Sequence, residues 1–176
     1  MLKRVKETFT RFFDTIHRDH TEPTMIKLEP IQQEDFERFL EREIRGYAED
    51  HVRNGNWPAE GALERSRQEF ARYLPDGIHS RDQYLYSIID DLGTKIGLLW
   101  VQVKDGKAFI LDFVIEEAFR GKGYGKQALA AMDEILRSMN VESVGLHVFG
   151  DNVAAQNLYK KAGFQVTNIQ MQKKLK

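Results

Sequence analysis

The stretch Arg120-Gly121-Lys122-Gly123-Tyr124-Gly125 follows an apolar run and opens a helical pattern. Unpaired backbone N–H groups at a helix start, with the helix dipole behind them, attract anions. Glycines let a phosphate approach the backbone closely, because no Cβ intervenes. Lys122 and Lys126 add positive charge at the rim. The spacing therefore suits a phosphate or pyrophosphate ligand, against the plainer reading of a strand-to-helix turn. A P-loop needs Gly where Arg120 stands and Ser or Thr where Gln127 stands, so that reading fails twice. A dinucleotide loop has its third glycine at the position of Lys126 and sits near the start of a βαβ unit.

Other residues have chemistry to offer. Asp112 is the one charged residue in the apolar run 110–115, and burying it unpaired is costly. It reads as an amine anchor or a water-relayed base, or else as a cap on a loop. His147 has an unperturbed pKa of about 6.5, but a lone strand histidine also serves structure. Asn152 and Tyr159 lie seven apart and share one helix face; their plainer roles are an N-cap and a packed aromatic. Tyr47, His51, Asn56 and Trp57 are pocket candidates near the first two helices, where aromatics also build core. Glu49 and Asp50 attract a cationic amine or simply face water, and Glu116 and Glu117 read as solvated turn residues.

These groups need a frame. Val5, Phe9, Phe12, Phe13 and Ile16 recur at helical spacing, so residues 1–24 read as an amphipathic helical extension. It would pack on the body, join a dimer or lie on a membrane, and its mixed charges argue against the last. A short strand is expected over 25–28 and a helix over 32–54, with Phe36, Phe39, Leu40, Ile44 and Tyr47 on one side. A turn at 54–58 leads to a second helix over 62–74, stopped by Pro75. Strands are then predicted over 84–89, 95–103 and 108–115, joined by tight hairpins. A helix follows Gly125, then a strand over 144–149 and a helix over 152–162 ending at Gly163. Residues 164–166 and 169–171 would form a closing hairpin. The fold class is α/β of the α+β kind: a mixed, mostly antiparallel sheet with helices on both faces.

Composition narrows the function. The chain has 176 residues, enough for one domain after the extension, spanning 25–176. Lys and Arg number 26 against 27 Asp and Glu, so no global basic field invites nucleic acid. There is no cysteine, which removes thiolate chemistry and fits a reducing cytoplasm. No run approaches the roughly 20 apolar residues of a membrane span, so no membrane partner is expected. His17 and His20 suggest no third ligand, and no metal is expected.

Arg120-x-x-Gly123-x-Gly125, placed after the strand Ile110-Leu111-Asp112-Phe113-Val114-Ile115, resembles the cofactor motif of the GNAT N-acetyltransferases. A second signature stands downstream: Leu146-His147-Val148-Phe149-Gly150-Asp151-Asn152, then Ala155, Leu158-Tyr159 and Ala162-Gly163-Phe164. The resemblance covers residues 25–174 and is nearest to the bacterial YycN-type group. It implies a GNAT fold of six to seven strands, acetyl-CoA as cosubstrate, and direct acetyl transfer to a primary amine of a small molecule, peptide or protein. It also implies roles. The amides of Gly121, Lys122, Gly123, Tyr124 and Gly125 would cradle the CoA pyrophosphate, flanked by Arg120 and Lys126, and Asn152 would contact the cofactor. The strand Phe113, Val114, Ile115 would pair with the pantetheine arm, a backbone N–H near Val114 polarising the thioester. Tyr159 would be the general acid. Some relatives carry a catalytic glutamate at the position of Phe109, which takes no proton, and Asp112 matches an amine-binding acid of other relatives. Tyr47, His51, Trp57 and His147 fall where such enzymes bind substrate. A non-catalytic acyl-CoA sensor on the same fold is the alternative, and a homodimer is possible.

Overall fold

The computed structural model describes residues 26–171 together with 173 and 175. The expected helix over 1–24 lies outside them. The described chain begins with β1 (Lys27–Pro30), α1 (Gln33–Arg53) and α2 (Ala62–Tyr73). Three strands follow, β2 (Gln83–Ile89), β3 (Lys95–Lys104) and β4 (Lys107–Ile115). The chain continues through α3 (Tyr124–Ser138), β5 (Ser143–Leu146) and α4 (Val153–Lys161). Short 3-10 turns at Gly77–His79 and Glu117–Phe119 are additional to the expected elements.

The strands form one mixed sheet in the order β1-β2-β3-β4-β5. The first four run antiparallel, and β5 lies parallel to β4 after the α3 crossover. Local chemistry makes the hairpins. Asp90 turns the β2–β3 connection, its Oδ1 accepting from Leu92 N–H at 3.0 Å and Thr94 N–H at 2.7 Å. Asp105 and Gly106 both take positive φ, 51° and 71°, as a two-residue turn between twisted strands requires.

Each face carries its own core. On one, Ile88, Ile96, Leu99, Val101, Ala108 and Ile110 meet Ala128, Leu129, Met132 and Leu136 of α3. On the other, Leu85, Leu98 and Trp100 meet Phe36 and Phe39 of α1, with Ile31 and Leu74. Trp100 keeps its indole N–H satisfied in that core by Gln83 Oε1 at 2.8 Å. Each large aliphatic side chain withdrawn this way contributes about 1.5–3 kcal/mol. The expected layout of helices on both faces is therefore present.

Two expectations at the C-terminal side need correction. The strand expected over 144–149 ends at Leu146, where its pairing with Ile110 stops. The closing hairpin over 164–171 does not form, so the sheet has five strands among the described residues rather than six or seven. Val166, Ile169 and Met171 stand 66%, 78% and 89% exposed, so no face has buried their alternating pattern.

Candidate active site

The feature that opens a site is an irregularity in β4. Val101 pairs with Ile110 and Trp100 with Asp112, so Leu111 is an extra residue with no partner on β3. Such a bulge bends its strand and disrupts the local ladder. On the opposite edge, β5 pairs with β4 only from Lys107 to Ile110. Beyond the bulge, Asp112 to Ile115 keep β3 on one side and have lost β5 on the other. A gap between the two parallel strands begins at this point.

The bulge also decides where Asp112 faces. Ala108 and Ile110 join the core under α3, as do Phe113 and Ile115 past the extra residue. Asp112 falls between these sets, opposite Trp100, on the side of α1. Its Oδ2 is sealed from solvent and has no hydrogen-bond partner. Burial, and then the carboxylate of Glu43 on α1, push its pKa up to about 7; Arg42 and the Phe113 N–H pull the other way.

Tyr159 reaches the same neighbourhood from α4. Its ring packs 6.4 Å from Phe113 and 5.5 Å from Phe164, centroid to centroid. Burial, with the Asp112 charge second, pushes its pKa up to about 12. The hydroxyl thus keeps its proton throughout the neutral range, and it senses Asp112 electrostatically.

The glycine loop closes one end of this gap. Arg120 Nε donates to the Ile115 carbonyl at 2.9 Å, tying the loop to the end of β4. Gly121 and Gly123 take φ of 76° and 84°, which β-carbon-bearing residues resist, and nothing lies within 4 Å of the space a Cβ would fill at either. None of the amides from Gly121 to Gly125 donates to a backbone carbonyl outside regular elements, and α3 starts at Tyr124 without a capping side chain. Gly125 sits where a Cβ would come within 3.1 Å of Leu158 of α4 and 3.9 Å of Ile115 of β4. Loop, strand and helix therefore converge. Lys122 and Lys126 are exposed beside the free amides.

The backbone of β4 refines one expectation. Glu116 N–H donates to Ile96 O at 2.9 Å, and the Val114 carbonyl points at Gly97 of β3. Peptide groups alternate sides along a strand. Val114 accordingly turns its N–H toward β3, and the groups along the open edge belong to Phe113 and Ile115.

The remaining candidates divide. Asn152 caps α4, its Oδ1 accepting from Ala155 N–H at 3.0 Å. His147 is not mid-strand: it lies just past the end of β5, exposed, edge-on to Phe109 at 5.1 Å. Tyr47, His51 and Trp57 come together in a cluster between α1 and α2. His51 stacks on Trp57 at 4.1 Å, Tyr47 meets both edge-on, and Arg65 covers the Trp57 ring at 4.5 Å. Burial, then Arg65, lower the pKa of His51, whose Nδ1 is buried without a partner. Tyr47 also touches Phe70, which leans on Trp100, so contacting rings run from this cluster to the residue paired with Asp112. Sequence reasoning missed Glu43 and Arg42, whose charges act on the Asp112 carboxyl, because nothing in the charge pattern of α1 distinguishes them.

This arrangement has counterparts among known proteins. Residues 13–164 match the model of the Acetyltransferase (GNAT) family. The chain is 41% identical over 154 residues to the uncharacterized N-acetyltransferase YycN of Bacillus subtilis, covering 85% of this chain and 99% of that one. A second B. subtilis relative, the uncharacterized N-acetyltransferase YdgE, is 37% identical, with 84% and 97% covered. The crystal structure of YycN matches with a TM-score of 0.79 over 85% of this chain and 98% of that one. The PaiA N-acetyltransferase of Thermoplasma acidophilum, solved in complex with coenzyme A, shares the fold at 21% identity and a TM-score of 0.61, with 82% and 92% covered. Family model, relatives and fold agree: the chain belongs to the GNAT family and is an N-acetyltransferase.

Proposed function

We propose that this enzyme transfers acetyl from acetyl-CoA directly to a primary amine, in the gap between β4 and β5. The single observation that carries this is the parting of those strands at Leu111, with Asp112, Tyr159 and the glycine loop gathered around it. Acetyl-CoA, when bound, supplies an activated thioester carbonyl. The amides of Gly121 to Gly125 form an anion cradle at the α3 N-terminus, with Arg120, Lys122 and Lys126 around it. Asn152 stands at the start of α4 as a further cofactor contact. The open edge of β4 at Phe113 and Ile115 offers backbone hydrogen bonds to an extended arm, much as a sheet edge accepts a peptide. An N–H on that edge serves as the donor for developing oxyanion charge.

The two titratable groups take complementary parts. Asp112, poised near neutrality, holds the acceptor's ammonium and takes up its proton. Tyr159, protonated up to about pH 12, holds the proton that the leaving thiolate needs. A proton taken at Asp112 and one given at Tyr159 fit a direct transfer, without an acyl-enzyme. The Tyr47, His51 and Trp57 cluster and His147 are the walls against which an acceptor of some size would lie.

Calorimetric titration with acetyl-CoA tests the cofactor assignment. Micromolar binding is expected in the wild type, about −8 kcal/mol. Gly123→Glu places a carboxylate in the anion cradle and is expected to abolish it. No binding by the wild type at millimolar acetyl-CoA would remove the assignment.

A further inference from the structure

We propose that Glu43 and Asp112 together form a two-carboxylate subsite that selects acceptor amines carrying a second positive charge, a place Arg42 holds in the free protein. This rests on the reading above, in which Asp112 meets the acceptor.

The groups come from two elements. Glu43 and Arg42 lie on α1, Asp112 on the far half of β4, and Glu116 just beyond its end. Arg42 Nε donates to Glu43 Oε1 at 2.9 Å, and its Nη1 lies 3.9 Å from Glu116 Oε1. Arg42 thus serves two carboxylates, Glu43 and Glu116, and makes no ion pair with Asp112. The Glu43 side chain is 23% exposed, whereas that of Arg42 is 50% exposed, so the cation is the readily displaced member.

Asp112 supplies the second, independent sign of a ligand. Its Oδ2 is shut off from solvent without any donor. An acceptor atom left this way is unfavourable, and a ligand N–H would satisfy it. Glu43 stands one helical turn after Phe39, whose ring meets Trp100, the residue paired with Asp112, and its charge helps raise the pKa of Asp112, so the two carboxylates repel each other. A monocation answers one of them. A dication answers both, and frees Arg42 to remain with Glu116. A neutral or anionic acceptor would meet uncompensated negative charge.

The test is acceptor preference measured on the intact enzyme with acetyl-CoA. Diaminobutane is compared with butylamine and diaminopropane with propylamine, as ratios of kcat/KM. The wild type is expected to prefer each diamine by about tenfold or more, the size of one added charge contact. In Glu43→Gln that ratio is expected to fall about tenfold, and in Arg42→Gln the diamine KM is expected to drop severalfold. A purely structural role for Glu43 would lower both rates together and leave the ratio where it was, which would overturn the proposal. Equal use of monoamines and diamines by the wild type would also overturn it, as would acetylation of neither by protein that binds acetyl-CoA; the cofactor reading survives both. Unchanged turnover in Asp112→Asn would instead remove the underlying anchor.

Discussion

The two halves of β4 are opposite in character. From Lys107 to Ile110 the strand has partners on both edges, β3 and β5, and Ala108 and Ile110 are sealed in the core. From Asp112 to Ile115 it keeps only β3. The first half spends its backbone groups on the sheet. The second leaves one edge unspent, and there the strand carries Asp112, whose Oδ2 is shut off from solvent without a partner. In the function proposed above, chemistry takes place where pairing stops, and the regular half holds the irregular half in place.

Removing the irregularity is the harshest way to break that contrast. Deleting Leu111 restores unbroken pairing with β3 while Asp112 stays opposite Trp100. Circular dichroism is expected to show a folded protein, with kcat/KM down by a hundredfold or more, since small misplacements carry penalties of that order. Retained activity would show that the gap does not depend on the bulge.

Tyr159→Phe leaves the gap in place and removes one proton. Pre-steady-state acetyl transfer should slow by about ten- to a hundredfold, within the range of a positioned acid, with acetyl-CoA affinity little changed. Equal losses in rate and in affinity would reassign Tyr159 to packing against Phe113 and Phe164.

Asp112 sharpens the contrast through pH. If it works as a carboxylate, kcat/KM rises with pH through about 7, the value to which burial and Glu43 push it. Asp112→Asn should lose that limb. Stability runs the other way. A pKa raised above the unfolded value means the native state binds more protons, so stability present at low pH is lost as pH rises from about 4 through 7. Thermal melts from pH 5 to 8 should therefore fall more steeply for the wild type than for Asp112→Asn. Parallel curves would mean that Asp112 is not buried as a poised acid.

The smallest effect concerns the regular neighbour. Gly97 approaches β4 so closely that an added Cβ would run into the Val114 carbonyl oxygen. Gly97→Ala should lower unfolding stability by about 1–3 kcal/mol in urea titrations, as overpacking against backbone does. No change would mean that β3 yields easily there.

Much of this fold was legible in the residues, and the reasons are local. The helix over 33–53 and the strands over 83–89, 95–104 and 107–115 come from strong periodicity bounded by Gly, Pro and Asp turns. The glycine loop was legible because only a few backbone geometries require glycine in that rhythm. The bulge was not. Counting by twos along β4 puts Asp112 on the face of Ala108 and Ile110, whereas one extra residue puts it under α1. Residues 164–171 alternate like a hairpin, but alternation alone supplies no neighbour to pair with. Glu43 matters because of what stands across from it, and that is tertiary information.

The pairing of Trp100 with Asp112 has an optical consequence. This protein has two tryptophans. Trp57 is held in its own cluster against His51 and Arg65, while Trp100 lies one strand away from the carboxylate at the heart of the gap. The indole emission of Trp100 is thus placed to register a charge arriving at or leaving Asp112. With Trp57→Phe to remove the background, the enzyme would report on occupancy of its own cleft by fluorescence, without an attached dye.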